Sequence, residues 1–398
     1  GLGRRGIQLV RTYRRAGDEV VVIEKDDRQD EIRVCRDLDA IVLTGDATDT
    51  SVLEEARVYY AKHVVVICAD DTTNKEVALL AYQLVRGYGR PGLDPLECFV
   101  HTTDPHLATH VNQDNLGTPE EAPFHAQAFN DYEISARLLF DQHPLDRAHI
   151  AEDDPRCVHL VVVGCGRMGE SLIIQAARLG HFANGRDMRI SVVDRTALLR
   201  EQLLQDRYPQ LGEICALKFF ENDVQAPEVL ATLRGWADEE RAGTTLTTVA
   251  VCIDHDARSI EAALAVAAEF RGLEVPVLTR IANATGFETH GADAMPPGKP
   301  RVVAFGMSSF SATRELLINE QLDVVAKAIH QGYIEQRKRE IADKHGDWDE
   351  AVCRDAALAP WDDLGEEYRN ANRQQADHIA VKARAIGCYV ARRDESPA

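Results

Sequence analysis

The chain has 398 residues, of which 45% are hydrophobic, and it carries a formal net charge of −20. This length gives room for two or three domains, and the acidic balance disfavours a nucleic-acid surface, because no basic excess could neutralise phosphates. No apolar run reaches the length of a membrane span. The nine cysteines stand singly, without the spacing of metal ligands, which predicts no metal site and a reducing, cytoplasmic setting.

Strands and helices alternate along residues 1–105, which predicts a parallel sheet with crossover helices. Gly1-Leu2-Gly3-Arg4-Arg5-Gly6 comes first, followed by a predicted helix over Gln8–Ala16 and a strand that ends at Glu24. A strand around Cys98–His101 is expected to close this unit. The chain opens at the first glycine of the motif without a preceding strand, so we expect more protein upstream.

A second glycine motif, Gly164-Cys165-Gly166-Arg167-Met168-Gly169, follows the apolar run 158–163 and opens a helix. In such a motif the first glycine allows the tight turn, and the second lets the backbone approach a pyrophosphate. The third lets the helix pack closely on the strand, so that its N-terminal N–H groups point at the anion. A second strand ends at Asp194, where an acid that binds ribose is expected.

The two regions repeat four landmarks in the same order, which predicts a tandem duplication. The matched pairs are Gly1 with Gly164, Glu24 with Asp194, Asp46 with Asp223, and the strand 64–70 with the strand 249–254. The sequence therefore predicts an α/β protein with two tandem Rossmann-like, doubly wound parallel sheets.

A carboxylate at the position of Glu24 or Asp194 can accept both ribose hydroxyl protons, which favours NAD or adenosine ligands over NADP. The alternative for each is a solvated acid at a strand end. Lys25 and Arg195 directly follow these acids and could accept an extra phosphate.

Gly45-Asp46-Ala47 follows the third strand and would place a carboxylate beside adenine, and Asp223 is the equivalent in the second copy. A helix cap is the alternative role for Asp46. Arg4, Arg5 and Arg167 lie inside the glycine turns, where a guanidinium either reaches phosphate oxygens or stays in solvent. Ala69, Asp70 and Met168 complete the set of candidate cofactor-binding residues.

Residues 106–155 are expected to form a connection with a crossover helix at Tyr132–Phe140, and not another sheet. The second copy is expected over residues 156–309. From residue 310 apolar residues recur at helical spacing, so residues 310–398 are predicted to form a small all-α domain whose last helix runs from Asn372 to Ile386. Trp348, Trp361 and Tyr368 are its expected aromatic core.

Residues 1–81 resemble the TrkA-N or RCK nucleotide-binding domain of potassium-transport regulators, through GLGRRG, VVVIEKD, VLTGDAT and VVVICADDTTN. The second copy resembles the same family through GCGRMG, SVVD, ENDV and CIDHD. The tail, with Pro360-Trp361-Asp362-Asp363-Leu364 and 372–379, is similar to the RyR domain, a small helical module. Trp361, Asn372, Arg373, Asp377 and His378 are its candidates for a second ligand, with helix packing and capping as the alternative.

The resemblance implies a ligand sensor and not a catalyst. It implies a homo-oligomer, either a dimer or a ring of eight domains from four chains, at the inner face of a membrane beneath a channel or transporter segment outside this chain. The regulatory ligand would be NAD(H), ADP-ribose, ADP or ATP. Two alternatives remain: an NAD-dependent oxidoreductase, although no hydride-transfer constellation is recognisable, and a stress or defence sensor that reads a nucleotide second messenger through the RyR-like tail.

Overall fold

The computed structural model describes residues 1–113, 123–281, 301–306, 313–318, 321–345, 355–361, 364–388 and 390. Contacts group the chain into two compact units. Unit 1 consists of Gly1–Asp131 and Ser308–Arg373, and unit 2 of Tyr132–Met307 and Gln374–Ala398. The expected domain boundaries after residues 105, 155 and 309 stay predictions.

The described residues of unit 1 form two parallel sheets. One pairs β1 (Val21–Glu24) with β2 (Ile41–Thr44), and the other has the order β3 (His63–Val66), β4 (Leu96–His101), β5 (Phe124–Phe129). The helices between the strands are α1 (Arg4–Arg15), α2 (Glu31–Asp37), α3 (Thr50–Glu55), α4 (Asp71–Tyr88) and α5 (Pro105–Gln113).

The longest helix of this set, α4, illustrates how the sequence fixes an element. The side chain of Asp70 accepts the N–H of Thr73 at 2.8 Å and so caps the first turn. Apolar residues at helical spacing, Val77 and Ala81 among them, form its buried face. Gly89, with a φ of +68°, ends the helix in a conformation that suits glycine.

Unit 2 contains one continuous parallel sheet with the order β11-β10-β9-β6-β7-β8. Its strands are β6 (Cys157–Val163), β7 (Arg189–Asp194), β8 (Ala216–Glu221), β9 (Thr245–Val251), β10 (Pro276–Arg280) and β11 (Arg301–Phe305). The helices are α6 (Asp131–Gln142), α7 (Arg167–Leu179), α8 (Ala197–Arg207), α9 (Leu211–Ile214), α10 (Pro227–Arg241) and α11 (Asp256–Glu269). Central strands β6 and β9 are buried at almost every position, as expected for a sheet covered by helices on both faces.

The predicted fold class, α/β with parallel Rossmann-like sheets and a helical C-terminal region, is confirmed. Two details were wrong. The strand at Leu96–His101 does not close the first unit, because β5 pairs with it in parallel, and residues 106–155 therefore contribute a strand and not a connection alone. The sequence of β5, FHAQAF, lacks the continuous apolar run that identified the other strands, because only part of this strand is buried and needs apolar residues.

The C-terminal region contains α12 (Arg314–Ile318), α13 (Val324–His345) and α14 (Glu366–Ala385). Helix α14 begins six residues earlier than the expected start at Asn372, and it ends next to Gly387, whose φ is +72°. In unit 1, Leu317 of α12 packs with Leu9 and Tyr13 of α1. Trp348, Asp362 and Asp363 lie outside the described residues.

Candidate functional site

The first glycine turn lies at the carboxyl ends of β1 and β3. The N–H of Leu2 donates to Oε2 of Glu24 at 2.5 Å, and the N–H of Asp26 donates to the other carboxylate oxygen at 3.0 Å. A Cβ on Gly1 would lie 3.3 Å from the carbonyl oxygen of Ile67, and one on Gly6 would lie 2.5 Å from the carbonyl oxygen of Gly1. Glycine is thus required sterically at position 6, where α1 crosses the turn.

The second turn repeats this arrangement in unit 2. The N–H of Cys165 donates to Oδ2 of Asp194 at 2.8 Å, and the N–H of Thr196 donates to Oδ1 at the same distance. Burial tends to raise the pKa of Asp194, but these backbone hydrogen bonds outweigh it and hold the pKa below its ordinary value. Gly164 has a φ of +92°, and a Cβ on Gly169 would overlap the Gly164 carbonyl oxygen.

The space above the two turns differs. Among the described residues, no atom would lie within 4 Å of a Cβ on Gly3, so the second glycine of the first motif borders open space there. In unit 2 the carboxylate of Asp254 lies 3.8 Å from the equivalent point on Gly166, and it forms an ion pair with Arg280. The first turn is therefore accessible to an anion, whereas the second has a carboxylate beside it.

The residue after each ribose acid is a cation, and it pairs with the acid that follows the next strand. Nζ of Lys25 lies 2.6 Å from Oδ2 of Asp46, and Nη2 of Arg195 lies 2.5 Å from Oδ2 of Asp223. The Lys25 hydrogen bond, followed by those of Thr48, lowers the pKa of Asp46, and the Gln225 N–H, followed by Arg195, lowers that of Asp223. The two predicted cations are thus both engaged by carboxylates.

The remaining residues of the first set surround the same strand ends. Gly45 donates its N–H to the carbonyl oxygen of Glu24 at 2.9 Å, which joins the ends of β1 and β2. Ala47 packs against the core, Ala69 is exposed after β3, and Asp70 is the cap of α4. These positions come together at one edge of unit 1, and their role in binding a nucleotide stays a prediction.

The arginines of the turns have different environments. Nε of Arg5 lies 2.7 Å from the buried carboxylate of Asp131, which also bonds Nε2 of His101 at 2.7 Å. Arg167 is exposed at the start of α7. The side chain of Arg4 lies outside the described residues. Met168 is 1% exposed and belongs to the core of unit 2, so its backbone alone could contact a ligand.

Sequence reasoning missed the part played by Asn74. Its side chain is fully buried, accepts the N–H of Cys68 at 2.6 Å and donates to the carbonyl oxygen of His101 at 3.0 Å. It thereby joins the ends of β3 and β4 near the first glycine turn. The position of Asn74 one turn into a helix was the available signal, because a buried amide there must find backbone partners.

The five tail candidates contact protein partners. In unit 1, Arg373 pairs with Asp323 at 2.8 Å and with Glu366 at 2.5 Å, and its guanidinium lies 5.9 Å from the ring of Trp361. Asn372 donates to a carbonyl oxygen of its own helix, at Tyr368.

In unit 2, Asp377 accepts two hydrogen bonds from Arg137, at 2.9 and 2.8 Å, and one from Gln175 at 3.0 Å. Nε2 of His378 lies 3.0 Å from the carbonyl oxygen of His181, and burial, the largest cause, lowers its pKa. These are the packing contacts expected of a helical module, and a second ligand for these residues stays a prediction.

Within the described part of the chain, no group of three or more His, Cys, Asp or Glu residues could hold a metal ion. Among the same residues, no helix combines the length and the apolar character needed to cross a membrane.

Residues 1–88 match the TrkA-N domain. The chain is similar to the crystal structure of GsuK bound to ADP, with 17% identity and a TM-score of 0.51, over 81% of this chain and 68% of that one. The match to the structure described as the GsuK channel has 14% identity and a TM-score of 0.50, over 82% and 64% of the two chains. At this level of identity the likeness concerns the fold. No curated protein matches the chain.

Proposed function

We propose that this chain is a cytoplasmic nucleotide-sensing module that regulates a potassium or other cation channel or transporter. Its ligand would be NAD(H), ADP-ribose or another adenine nucleotide. It would bind over the first glycine turn, beside Glu24 and Asp46, a place called the first cleft below; the second cleft is the corresponding place at the second turn, beside Asp194 and Asp223. The observation that carries the proposal is the combination of an open glycine turn with Glu24, within the segment that matches the TrkA-N domain. The likeness to the structure of GsuK bound to ADP, and to the structure described as the GsuK channel, supports it.

The residues of the first cleft fit such a ligand. Gly3 leaves room for a pyrophosphate, and the N–H groups at the start of α1 would stabilise its charge. The carboxylate of Glu24 has one backbone hydrogen bond on each oxygen, which leaves lone pairs for ribose hydroxyls. Asp46 would lie toward the adenine end.

Regulation follows if the ligand binds two arrangements of the protein with different affinities, because binding then shifts their populations. Two Rossmann copies per chain provide such a pair of bodies. Assembly as a dimer, or as a ring of four chains at a membrane pore, would transmit the shift to a channel or transporter segment.

The test is calorimetry of the full chain with NAD, NADH, ADP-ribose, ADP and ATP. We expect one of these to bind, and Glu24→Gln to weaken binding about tenfold or more, since it removes a charged acceptor for ribose. Glutamine keeps an oxygen for the Leu2 N–H but loses the hydrogen bond from the Asp26 N–H, so circular dichroism should check that the variant stays folded. Asp194→Asn is the matched change in the second copy and should leave this binding unaltered. Absence of binding, or turnover of NADH with a carbonyl substrate, would contradict the proposal.

A further inference from the structure

Both Rossmann copies contain the same ion pair beside the ribose acid. Lys25 follows Glu24 and pairs with Asp46 at 2.6 Å, and Arg195 follows Asp194 and pairs with Asp223 at 2.5 Å. An isolated pair between exposed side chains carries little meaning, because such pairs are weak and exchangeable. The same type of pair recurs at the corresponding strand ends of both copies, although the cation is lysine in one and arginine in the other.

The geometry of the acid also recurs. Oδ1 of Asp46 accepts the N–H of Thr48 at 3.0 Å and its hydroxyl at 2.8 Å, and Oδ1 of Asp223 accepts the N–H of Gln225 at 3.0 Å. In each copy one carboxylate oxygen is thus fixed to the backbone two residues on, and the other faces the cation. These hydrogen bonds hold the carboxylate in one orientation, in which its second oxygen is directed at the cation.

The chemistry at this place concerns the ribose 2′ position. A Rossmann cleft that takes a 2′-phosphate needs a nearby cation for it, and an acid on the ribose hydroxyls opposes it. Lys25 is the cation adjacent in sequence to the ribose acid, but its ammonium group pairs with Asp46, which neutralises its charge.

We infer that the Lys25–Asp46 pair is a specificity determinant that makes the first cleft reject adenine nucleotides with a 2′-phosphate. The cleft accepts those with free ribose hydroxyls, such as NAD(H), ADP-ribose and ADP. This inference rests on the proposed function, and it assigns to Asp46 a role through Lys25 that is separate from any contact with adenine.

The experiment compares ADP-ribose with 2′-phospho-ADP-ribose by calorimetry on the full chain. The wild type should prefer ADP-ribose. Asp46→Asn keeps the hydrogen bond to Thr48 but releases Lys25, so the ratio of the two dissociation constants should move toward the 2′-phosphate by about fivefold. Lys25→Ala/Asp46→Asn should lose most of that change, because the cation is gone.

The matched control is Asp39→Asn, which removes the acid of another exposed pair, Arg14–Asp39 at 2.8 Å, and should leave the ratio at its wild-type value. An unchanged ratio in Asp46→Asn would overturn the inference, as would an equal change in the double variant. In both cases the wild type still binds ADP-ribose, so the proposed function stands. A wild type that binds neither ligand would overturn the inference, and binding of NAD, NADH, ADP or ATP would then decide the proposed function.

Discussion

The two Rossmann copies contain nearly the same turn in sheets of different extent. In unit 2, β6 pairs with β7 and β9 and completes a six-stranded sheet. Among the described residues of unit 1, β1 pairs with β2 alone and β3 with β4 alone, and Val21 of β1 is 44% exposed. Yet the N–H after the first glycine meets the acid at 2.5 Å in one copy and 2.8 Å in the other. The glycines and the acid thus give nearly the same turn in both copies.

The copies also differ beside the second glycine of the turn, where a phosphate would bind. Here unit 1, whose sheet is less buried, has the more open turn. The better buried sheet of unit 2 has Asp254 beside Gly166, whereas the turn of unit 1 borders open space at Gly3. Burial of the sheet and suitability for an anion are thus separate properties of the same fold, and each can be altered without the other.

The largest effect on stability is expected from a substitution at Gly169, where the helix crosses the second glycine turn. A methyl group on Gly169 would overlap the carbonyl oxygen of Gly164, and two backbone segments cannot easily move apart in a buried sheet. We expect Gly169→Ala to lower the free energy of unfolding by about 3 kcal/mol, measured by urea denaturation. Gly235→Ala, in α10 with open space around it, should be neutral or stabilising. A loss in Gly169→Ala no larger than in this control would refute the steric argument.

Strand β6 of unit 2 carries a fully buried His159, which should make the stability of the protein depend on pH. Its Nδ1 accepts from Arg189 and its Nε2 donates to Ser191, both at 2.9 Å, which suits the neutral ring. Burial, then Arg189, lowers its pKa well below the ordinary 6.5. The unfolded chain therefore binds a proton that the folded chain does not, and stability falls as the pH drops below 6.5.

The expected loss from this histidine is about 1 kcal/mol in the free energy of unfolding for the first pH unit below its ordinary pKa. Urea denaturation at a series of pH values measures it as the difference between wild type and His159→Gln. His255→Gln, at an exposed helix start, is the control and should retain the wild-type pH dependence. If His159→Gln retains it too, the histidine is not the titrating group.

The smallest expected effect tests the phosphate side of the second turn. Asp254→Asn removes the carboxylate near Gly166 and releases Arg280, so the second cleft should bind ADP-ribose about threefold more tightly. Calorimetry in a Glu24→Gln background reduces the contribution of the first cleft to the measured binding. Asp206→Asn, which removes an exposed acid on α8, should have no such effect. Equal affinities in all three chains would mean that Asp254 does not distinguish the two copies.

The sequence was sufficient for the features that depend on local chain order. The glycine turns, the acids at strand ends and the caps of helices such as Asp70 could be predicted because each has a spacing rule. The order of the landmarks, from Gly1 to Asp70 and from Gly164 to Asp254, also predicted two Rossmann-like copies with parallel strands.

Features that depend on distant partners could not be predicted. Arg5 lies in the glycine turn, as expected, but its ion pair with Asp131 joins residues far apart in the chain. The same is true of Arg280 with Asp254. Strand β5 was missed because its pairing with β4, and not its own composition, makes it a strand.

The position of β6 has a consequence for how the chain folds. Its register with β9 joins Val161 to Val249, so this pairing closes a loop of ~90 residues, whereas β1 and β2 pair over ~20. Long-range pairings form late, because the entropy of loop closure is lost before contacts compensate for it. During synthesis one edge of β6 therefore stays unpaired until β9 emerges, which exposes a row of backbone N–H and C=O groups in that interval.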